Sequence, residues 1–283
     1  MAERYLSVAG VQIPRFLYGT AWKEEATQRL TELAIQQGFR GIDTANQRRH
    51  YHEAAVGQAI AASIAAGLVQ RDELFIQTKF TFQPGQDHRL PYEPDAPIEV
   101  QVEQSFASSL AHLGVERIDS YVLHGPSVRR GLGPDDWTAW RAMEAVHASG
   151  RARLLGISNV SLEQLLLLCR EARVRPSFVQ NRCFAVLGWD RQVRQFCAEN
   201  EIVYQGFSLL TANPEALAHP ELNRIAKRQA MTPAQAVFCF ALQVGMLPLT
   251  GTSDPQHMRS DLKAFDFVLT PDETELIEQL VVR

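Results

Sequence analysis

The stretch GFRGIDTANQRRHYHEAAVGQAI, residues 38–60, changes character partway along. FRGIDT reads as a short buried strand and AAVGQAI as the opening of an Ala-rich helix, with Asp43, Arg48, Arg49, His50, Tyr51 and His52 gathered where one gives way to the other. A parallel strand buried on both faces is almost continuously apolar, so a carboxylate at its end needs a reason.

The same strand-then-helix unit recurs along the chain. RFLYG (15–19), LFIQTKF (74–80), DSYVLHG (119–125), ARLLGIS (152–158), FVQNRC (178–183), IVYQGFS (202–208) and LPLTGT (247–252) are short apolar or β-branched runs, each followed by a longer helical pattern. With residues 39–44 they make eight units, the count of an α/β fold of the (β/α)8 TIM barrel type. Such barrels form around one core at about 250 residues, and no Pro/Gly/Ser-rich linker divides this chain of 283, so residues 1–283 are expected to form one domain. Ahead of the first barrel strand, YLSVAGVQIPRF predicts a β-hairpin turning at Ala9-Gly10 and closing the barrel bottom. Asp190, Thr232 with Pro233, and Thr270 with Pro271 predict helix starts.

A net charge of -4 gives no electrostatic reason to expect nucleic acid. Cys169, Cys183, Cys197 and Cys239 are far apart without a C-x-x-C pair, and MAERYLSVAG lacks a signal peptide's apolar core, which together predict a reducing cytoplasm. AAVGQAIAASIAAGLV is too short and too interrupted by Gln58 and Ser63 to span a bilayer of about 20 apolar residues. The expected protein is a cytoplasmic monomer with no membrane or nucleic-acid partner.

In a barrel, active sites lie at the C-terminal ends of the strands. Asp43 ends the second strand, Lys79 the third, His124 the fourth, Ser158 and Asn159 the fifth, Gln180 and Asn181 the sixth, Ser208 the seventh and Thr252 the eighth. The ionisable groups therefore face one rim. Singly, each has an ordinary reading: Asp43 as a helix cap, Lys79 as a solvated strand-end charge, His124 as a satisfied core histidine, Tyr51 as a packing aromatic. In order on successive strands they make a set.

That set resembles the aldo-keto reductase superfamily over nearly the whole chain. GFRGIDTA, YHEAAVGQAI, LFIQTKF and IDSYVLHGP are similar to the family's segments for its catalytic aspartate, tyrosine, lysine and histidine, and GISN, FVQN, GFSLL and LTGTSDPQHMRSDL to its cofactor-contacting segments. The resemblance implies reduction of an aldehyde or ketone by hydride from a nicotinamide cofactor, without a metal. Tyr51 would be the general acid, Lys79 its partner, Asp43 the anchor of the lysine, and His124 the donor that polarises the carbonyl. A free tyrosine has a pKa of about 10, and an ammonium beside it is expected to lower that value. Donors placed where negative charge grows stabilise the transition state more than the ground state.

The resemblance also implies that Ser158, Asn159 and Gln180 hold the nicotinamide carboxamide and that Phe207 stacks under the ring. Thr20, Trp22, Asp43, Ser208, Leu210, Gly251, Thr252, Ser253, His257 and Asp261 complete the implied cofactor contacts. Many NADP-dependent members have a lysine where this chain has Gly251 and an arginine where it has His257. Thr252, Ser253, His257, Arg259 and Lys263, with a helix start capped near Ser253 and Asp254, remain to hold a 2′-phosphate. NADP(H) is expected ahead of NAD(H), which stays possible.

Other departures affect the substrate side. NQRR lengthens the loop before Tyr51, and alignment backwards from Val56-Gly57 puts His50 at the usual tyrosine position; Tyr51 is preferred because His50 would replace the chemistry. Gly125 follows His124 where an aromatic is common, and the chain stops at Arg283 shortly after the last helix, so an open site for varied or bulky carbonyl compounds is expected. Trp22, Phe82, Tyr92, Trp137 and Trp189 are candidates for its lining or for packing. Arg48, Arg49, Arg129 and Arg130 read chiefly as solvated loop charges, and the cysteines as buried. TFQPGQDHRLPYEPDA (81–96) is long enough to be functional or mobile. Two other readings remain: a metal-dependent barrel hydrolase, whose ligand set is thin here, and a cofactor-binding sensor with little turnover.

Overall fold

The computed structural model describes residues 3–282; Met1, Ala2 and Arg283, at the two ends of the expected domain, lie outside them. Strands β1 (Tyr5–Val8) and β2 (Val11–Pro14) pair antiparallel around Ala9 and Gly10, both with positive φ, as a two-residue hairpin turn requires. Eight parallel strands follow: β3 (Leu17–Gly19), β4 (Gly41–Asp43), β5 (Phe75–Phe80), β6 (Ile118–Leu123), β7 (Ala152–Ser158), β8 (Phe178–Arg182), β9 (Val203–Phe207) and β10 (Leu247–Thr250). They lie in chain order around a closed barrel, with β10 pairing back onto β3. This is the (β/α)8 fold expected from the repeated units.

The helices are α1 (Thr27–Gln36), α2 (Glu53–Ala65), α3 (Ile98–Leu113), α4 (Pro134–Ala148), α5 (Leu162–Glu171), α6 (Arg191–Glu199), α7 (Pro214–Ala218), α8 (Pro220–Arg228), α9 (Pro233–Gln243), α10 (Pro255–Leu262) and α11 (Pro271–Gln279). Among the described residues no helix is long and apolar enough to cross a membrane. The hairpin closes the bottom: Val11 and Ile13 pack with Leu17, Phe75, Leu154, Phe178, Leu247 and Leu249 in a buried cluster separate from the main core. An apolar plug there leaves only the opposite rim for polar chemistry.

Thr232 and Thr270 begin α9 and α11 with reciprocal capping boxes, their hydroxyls accepting from Gln235 and Glu273 amides. Asp190 does precede α6, as expected of a helix start, but without a capping side chain. It stands before α6 in a left-handed conformation with φ 57° and makes no side-chain cap; its carboxylate accepts from Asn181 Nδ2 and the Tyr204 hydroxyl, both at 2.9 Å. A cap needs an extended backbone to turn its oxygen back onto the helix, and Asp190 lacks it.

The segment 81–96 is pinned to the barrel. Tyr92 is buried with its hydroxyl on the Thr81 carbonyl (2.8 Å), Gln86 donates to the Asn46 carbonyl (2.9 Å), and Gln47 donates to the Gly85 carbonyl (2.7 Å). These bonds tie it to the Tyr51 loop. Trp189 is fully buried with its indole N–H on Ile277 O, Phe82 packs against Phe80, and all four cysteines are buried.

Helices α2 and α3 approach closely at Gly57, where an added Cβ would fall 2.0 Å from the His112 carbonyl oxygen and 2.8 Å from Leu113 Cα. Both are backbone atoms that a rotamer change cannot move. Gly57→Ala is expected to cost about 1–3 kcal/mol through overpacking despite alanine's better helix propensity. Urea denaturation measures it; an unchanged or raised midpoint would show that the helices separate freely.

Candidate active site

Parallel register sets the site. Asp43 at the end of β4 lies beside Gln77 of β5, and Lys79 stands two residues further along that strand. Lys79 is fully buried and Asp43 nearly so. The ammonium donates to both Asp43 oxygens, at 2.7 and 2.8 Å, and to the Thr44 carbonyl at 2.8 Å. An ammonium has three protons, and all three are used. Burial pushes the Lys79 pKa below its ordinary value, opposed by the Asp43 charge and hydrogen bond and by Glu53.

Tyr51 stands over this pair. Its ring centroid is 5.3 Å from Lys79 Nζ and 5.9 Å from the His124 ring, edge to face. His50 lines the same site but lies against Trp22, ring centroids 3.9 Å apart, and the Trp22 amide donates to its carbonyl. Tyr51 is therefore the ring that lies against both Lys79 and His124, with His50 in the same groove wall. The phenol's pKa is raised, first by burial and then by Asp43. This reverses the expectation that Lys79 lowers it: the carboxylate that holds the ammonium also offsets its charge, and desolvation prevails.

His124 follows β6, and its Nδ1 is 2.6 Å from the Thr81 hydroxyl. Burial, then Lys79, then His50 depress its pKa to about 3, so the ring is neutral at physiological pH. When the Thr81 hydroxyl donates to Nδ1, the ring's one proton sits on Nε2. Thr81 is itself held through its carbonyl by Tyr92.

These groups open into one groove of about 760 Å³ on the C-terminal rim. Of the expected site residues, Trp22, Asp43, Tyr51, His124, Ser158, Asn159, Gln180, Phe207, Ser208, Leu210, Gly251, Thr252, His257 and Asp261 line it. Lys79 lies just behind, covered by Asp43 and Tyr51. Thr20 is not in the wall: it is fully buried, and its hydroxyl donates to the Asp43 carbonyl at 3.0 Å. Ser253 is exposed beside the groove, not in its lining.

Three wall residues hold left-handed backbones: Trp22 (φ 61°), Asn159 (φ 53°) and Ser208 (φ 57°). Strain of this kind concentrates at functional sites. Asn159 donates to the His124 carbonyl (2.8 Å) and to Ser158 Oγ (3.1 Å), while Ser158 donates to the Gln180 carbonyl (2.6 Å). Phe207 is half-buried and lines the groove. This wall fits a flat amide-bearing ring.

Sequence reasoning missed two cations in the wall. Lys23 donates to the Gly251 carbonyl, which puts an ammonium beside the position that lacks a lysine. Arg182 ends β8 with its guanidinium near the Phe207 ring and Nε 3.3 Å from Ser208 Oγ. Lys23 was unsignalled because it belongs to the first loop, far in sequence from Gly251. At α10, Asp254 accepts from the Gln256 and His257 amides, so a carboxylate already occupies the donors suggested for phosphate. Asp261 donates nothing outward: it accepts from Thr250 at 2.8 Å, and burial raises its pKa to about 6. Among the described residues no group of three or more His, Cys, Asp or Glu gathers as for a metal ion.

The model of the Aldo/keto reductase family matches residues 16–282. An uncharacterised oxidoreductase, YtbE, of Bacillus subtilis (strain 168) is 29% identical over 273 residues, covering 96% of this chain and 90% of that one. An aldo-keto reductase of Mycolicibacterium vanbaalenii is 31% identical over 252 residues, covering 87% and 80%. In fold, the crystal structure of MGS-M4, an aldo-keto reductase enzyme from a Medee basin deep-sea metagenome library, superposes with a TM-score of 0.83 at 21% identity, covering 99% of this chain and 95% of that one.

Breaking the buried pair should be severe. Lys79→Met leaves the Asp43 carboxylate buried without its cation and is expected to cost about 3–5 kcal/mol, while adding Asp43→Asn recovers part of that loss. Urea denaturation of the single and double variants decides. A loss below about 1 kcal/mol for Lys79→Met would mean that solvent or a neighbour already compensates Asp43.

Proposed function

The chain belongs to the aldo/keto reductase family, and from that premise we propose that it is an oxidoreductase reducing aldehyde or ketone groups to alcohols in this groove, with Tyr51 as proton donor. The observation that carries the reading is Tyr51, placed against both the Lys79 ammonium and the neutral His124 ring on the floor of an open groove.

A bound nicotinamide cofactor supplies the hydride. Gln180, Ser158 and Asn159 would hold its carboxamide, with the face of Phe207 beneath the ring and Lys23 and Arg182 toward its phosphates. The carbonyl oxygen of the substrate then takes hydrogen bonds from the Tyr51 hydroxyl and from His124 Nε2–H, both in place before charge develops. Tyr51 hands its proton to that oxygen and becomes a phenolate. Lys79 stabilises the phenolate by charge alone, because its three protons are committed to Asp43 and Thr44. A proton from water in the groove restores the phenol.

Each group's protonation suits reduction. The phenol is held protonated by its raised pKa, and His124, depressed to about 3, donates as a neutral ring. Gly125 widens the substrate side: a Cβ there would make only ordinary contacts with Asn159 and Ser158, so the glycine is not forced by packing. Varied and bulky carbonyl compounds are the proposed substrates, acted on by a cytoplasmic monomer. NADP(H) is the proposed cofactor, on the strength of Lys23 at Gly251. NAD(H) is the second reading, because the Asp254 carboxylate on the α10 amides opposes a phosphate there.

Consumption of NADPH, and separately NADH, with an aromatic aldehyde tests this. Tyr51→Phe is expected to lose at least about 100-fold in kcat with little change in cofactor affinity. The reductive rate should stay flat from about pH 5 to about pH 10, since His124 is neutral across that range and the phenol, its pKa raised above the ordinary value of about 10, stays protonated. A Tyr51→Phe variant at full rate would sink the assignment. An inflection near pH 6.5 that disappears in His124→Gln would contradict the neutral ring.

A further inference from the structure

Polar side chains inside a parallel barrel are costly unless every group finds a partner. Directly behind the groove floor lies a layer that meets this condition. Asp43, Gln77 and Ser120 are successive register neighbours on β4, β5 and β6, and Gln180 and Gln205 are register neighbours on β8 and β9. Gln77, Ser120 and Gln205 are fully buried.

The hydrogen bonds run in one sense. Ser120 Oγ donates to Gln77 Oε1 at 2.8 Å, and Gln205 Nε2 donates to the same oxygen at 3.0 Å. Gln77 Nε2 is thereby turned to Asp43 Oδ1 (2.7 Å) and Gln205 Oε1 (2.8 Å). Gln180 Nε2 donates to those same two acceptors, at 3.0 and 2.9 Å. The carboxylate paired with Lys79 can only accept, so an amide turned the other way would set oxygen against oxygen. One carboxylate and one hydroxyl thus orient three amides.

Of these amides only Gln180 reaches the groove wall. Its nitrogen is committed to the layer, and its oxygen is not among the buried atoms left without a partner, so the oxygen is the atom presented to the groove. We propose that Gln77, Gln205 and Ser120 are positioning residues that lock Gln180 with its oxygen outward, so that the groove selects a ligand carrying an N–H donor at that point. The inference rests on the reading of the groove as a nicotinamide site, where the donor is the carboxamide NH2. Leucine-sized side chains would fill the same space without fixing an amide. Without Gln205 the Gln180 nitrogen keeps only Asp43 of its two acceptors, so its oxygen is held less firmly toward the groove.

The test compares the cofactor with its 3-acetylpyridine analogue, which keeps the carbonyl but has no N–H, by titration calorimetry on the full chain. The natural protein is expected to bind the carboxamide form about 10-fold more tightly, the worth of one ordinary hydrogen bond. Gln205→Met, close in size, is expected to shrink that preference below about 3-fold while still melting cooperatively, and Ser120→Ala, a smaller change, to shrink it partly. A purely structural layer would lower thermal stability and leave the preference untouched. Unchanged preference in folded Gln205→Met overturns the inference; if that variant does not fold, unchanged preference in Ser120→Ala overturns it. Equal binding of both forms by the natural protein overturns it too. Binding of neither form overturns the cofactor reading itself, and the inference with it.

Discussion

The Lys79–Asp43 pair, sealed inside the barrel, is the constraint on which the rest of the site depends. Desolvating two charges costs several kcal/mol each, and the pair is tolerable only because its remaining groups are satisfied. Thr44 takes the third ammonium proton; Gln77 and Gln180 supply the remaining donors to Asp43 Oδ1. Every bond that makes the pair affordable also fixes a neighbour. The polar layer, the orientation of Gln180 and the setting of Tyr51 all follow from placing one carboxylate at the end of β4.

The same burial decides the acid–base states. In water an ammonium beside a phenol favours the phenolate, but here desolvation and the Asp43 charge hold the proton on Tyr51. His124 loses its charge for the same reason, and a hydrogen bond donated by Thr81 to Nδ1 leaves its remaining proton on Nε2. The result is two neutral groups over a fixed cation, the arrangement on which the proposed stabilisation of a developing oxyanion relies.

Much of this was legible in sequence, for definite reasons. Eight apolar runs, the second to the eighth each leading into a polar residue, mark buried strands whose ends meet at one rim, and the apolar hairpin at residues 5–14 marks the closed end. Asp43, Lys79 and His124 stood out because ionisable groups at such ends need partners, while Tyr51, in the loop after β4, entered only through the family resemblance. Other features were not readable. Gln77, Ser120 and Gln205 lie within strand runs, and only barrel closure brings β9 across to β5. Lys23 reaches Gly251 across more than two hundred residues, Asp190 starts α6 as expected but its left-handed backbone, which leaves no trace in the sequence, keeps its carboxylate from capping, and Thr20 faces the Asp43 carbonyl instead of the groove. The segment 81–96 has the length and prolines of a mobile loop, yet buried Gln86 and Tyr92 hold it in place.

The central claim is that this groove carries out hydride transfer to a carbonyl carbon and protonates the oxygen. The most direct measurement is the isotopic content of the product formed from an aromatic aldehyde and cofactor deuterated at the transferred position of nicotinamide C4, in ordinary water. The account predicts an alcohol with one deuterium on the carbinol carbon and none lost to solvent. An unlabelled alcohol, or tight cofactor binding with no alcohol formed from any aldehyde or ketone tried, would contradict it.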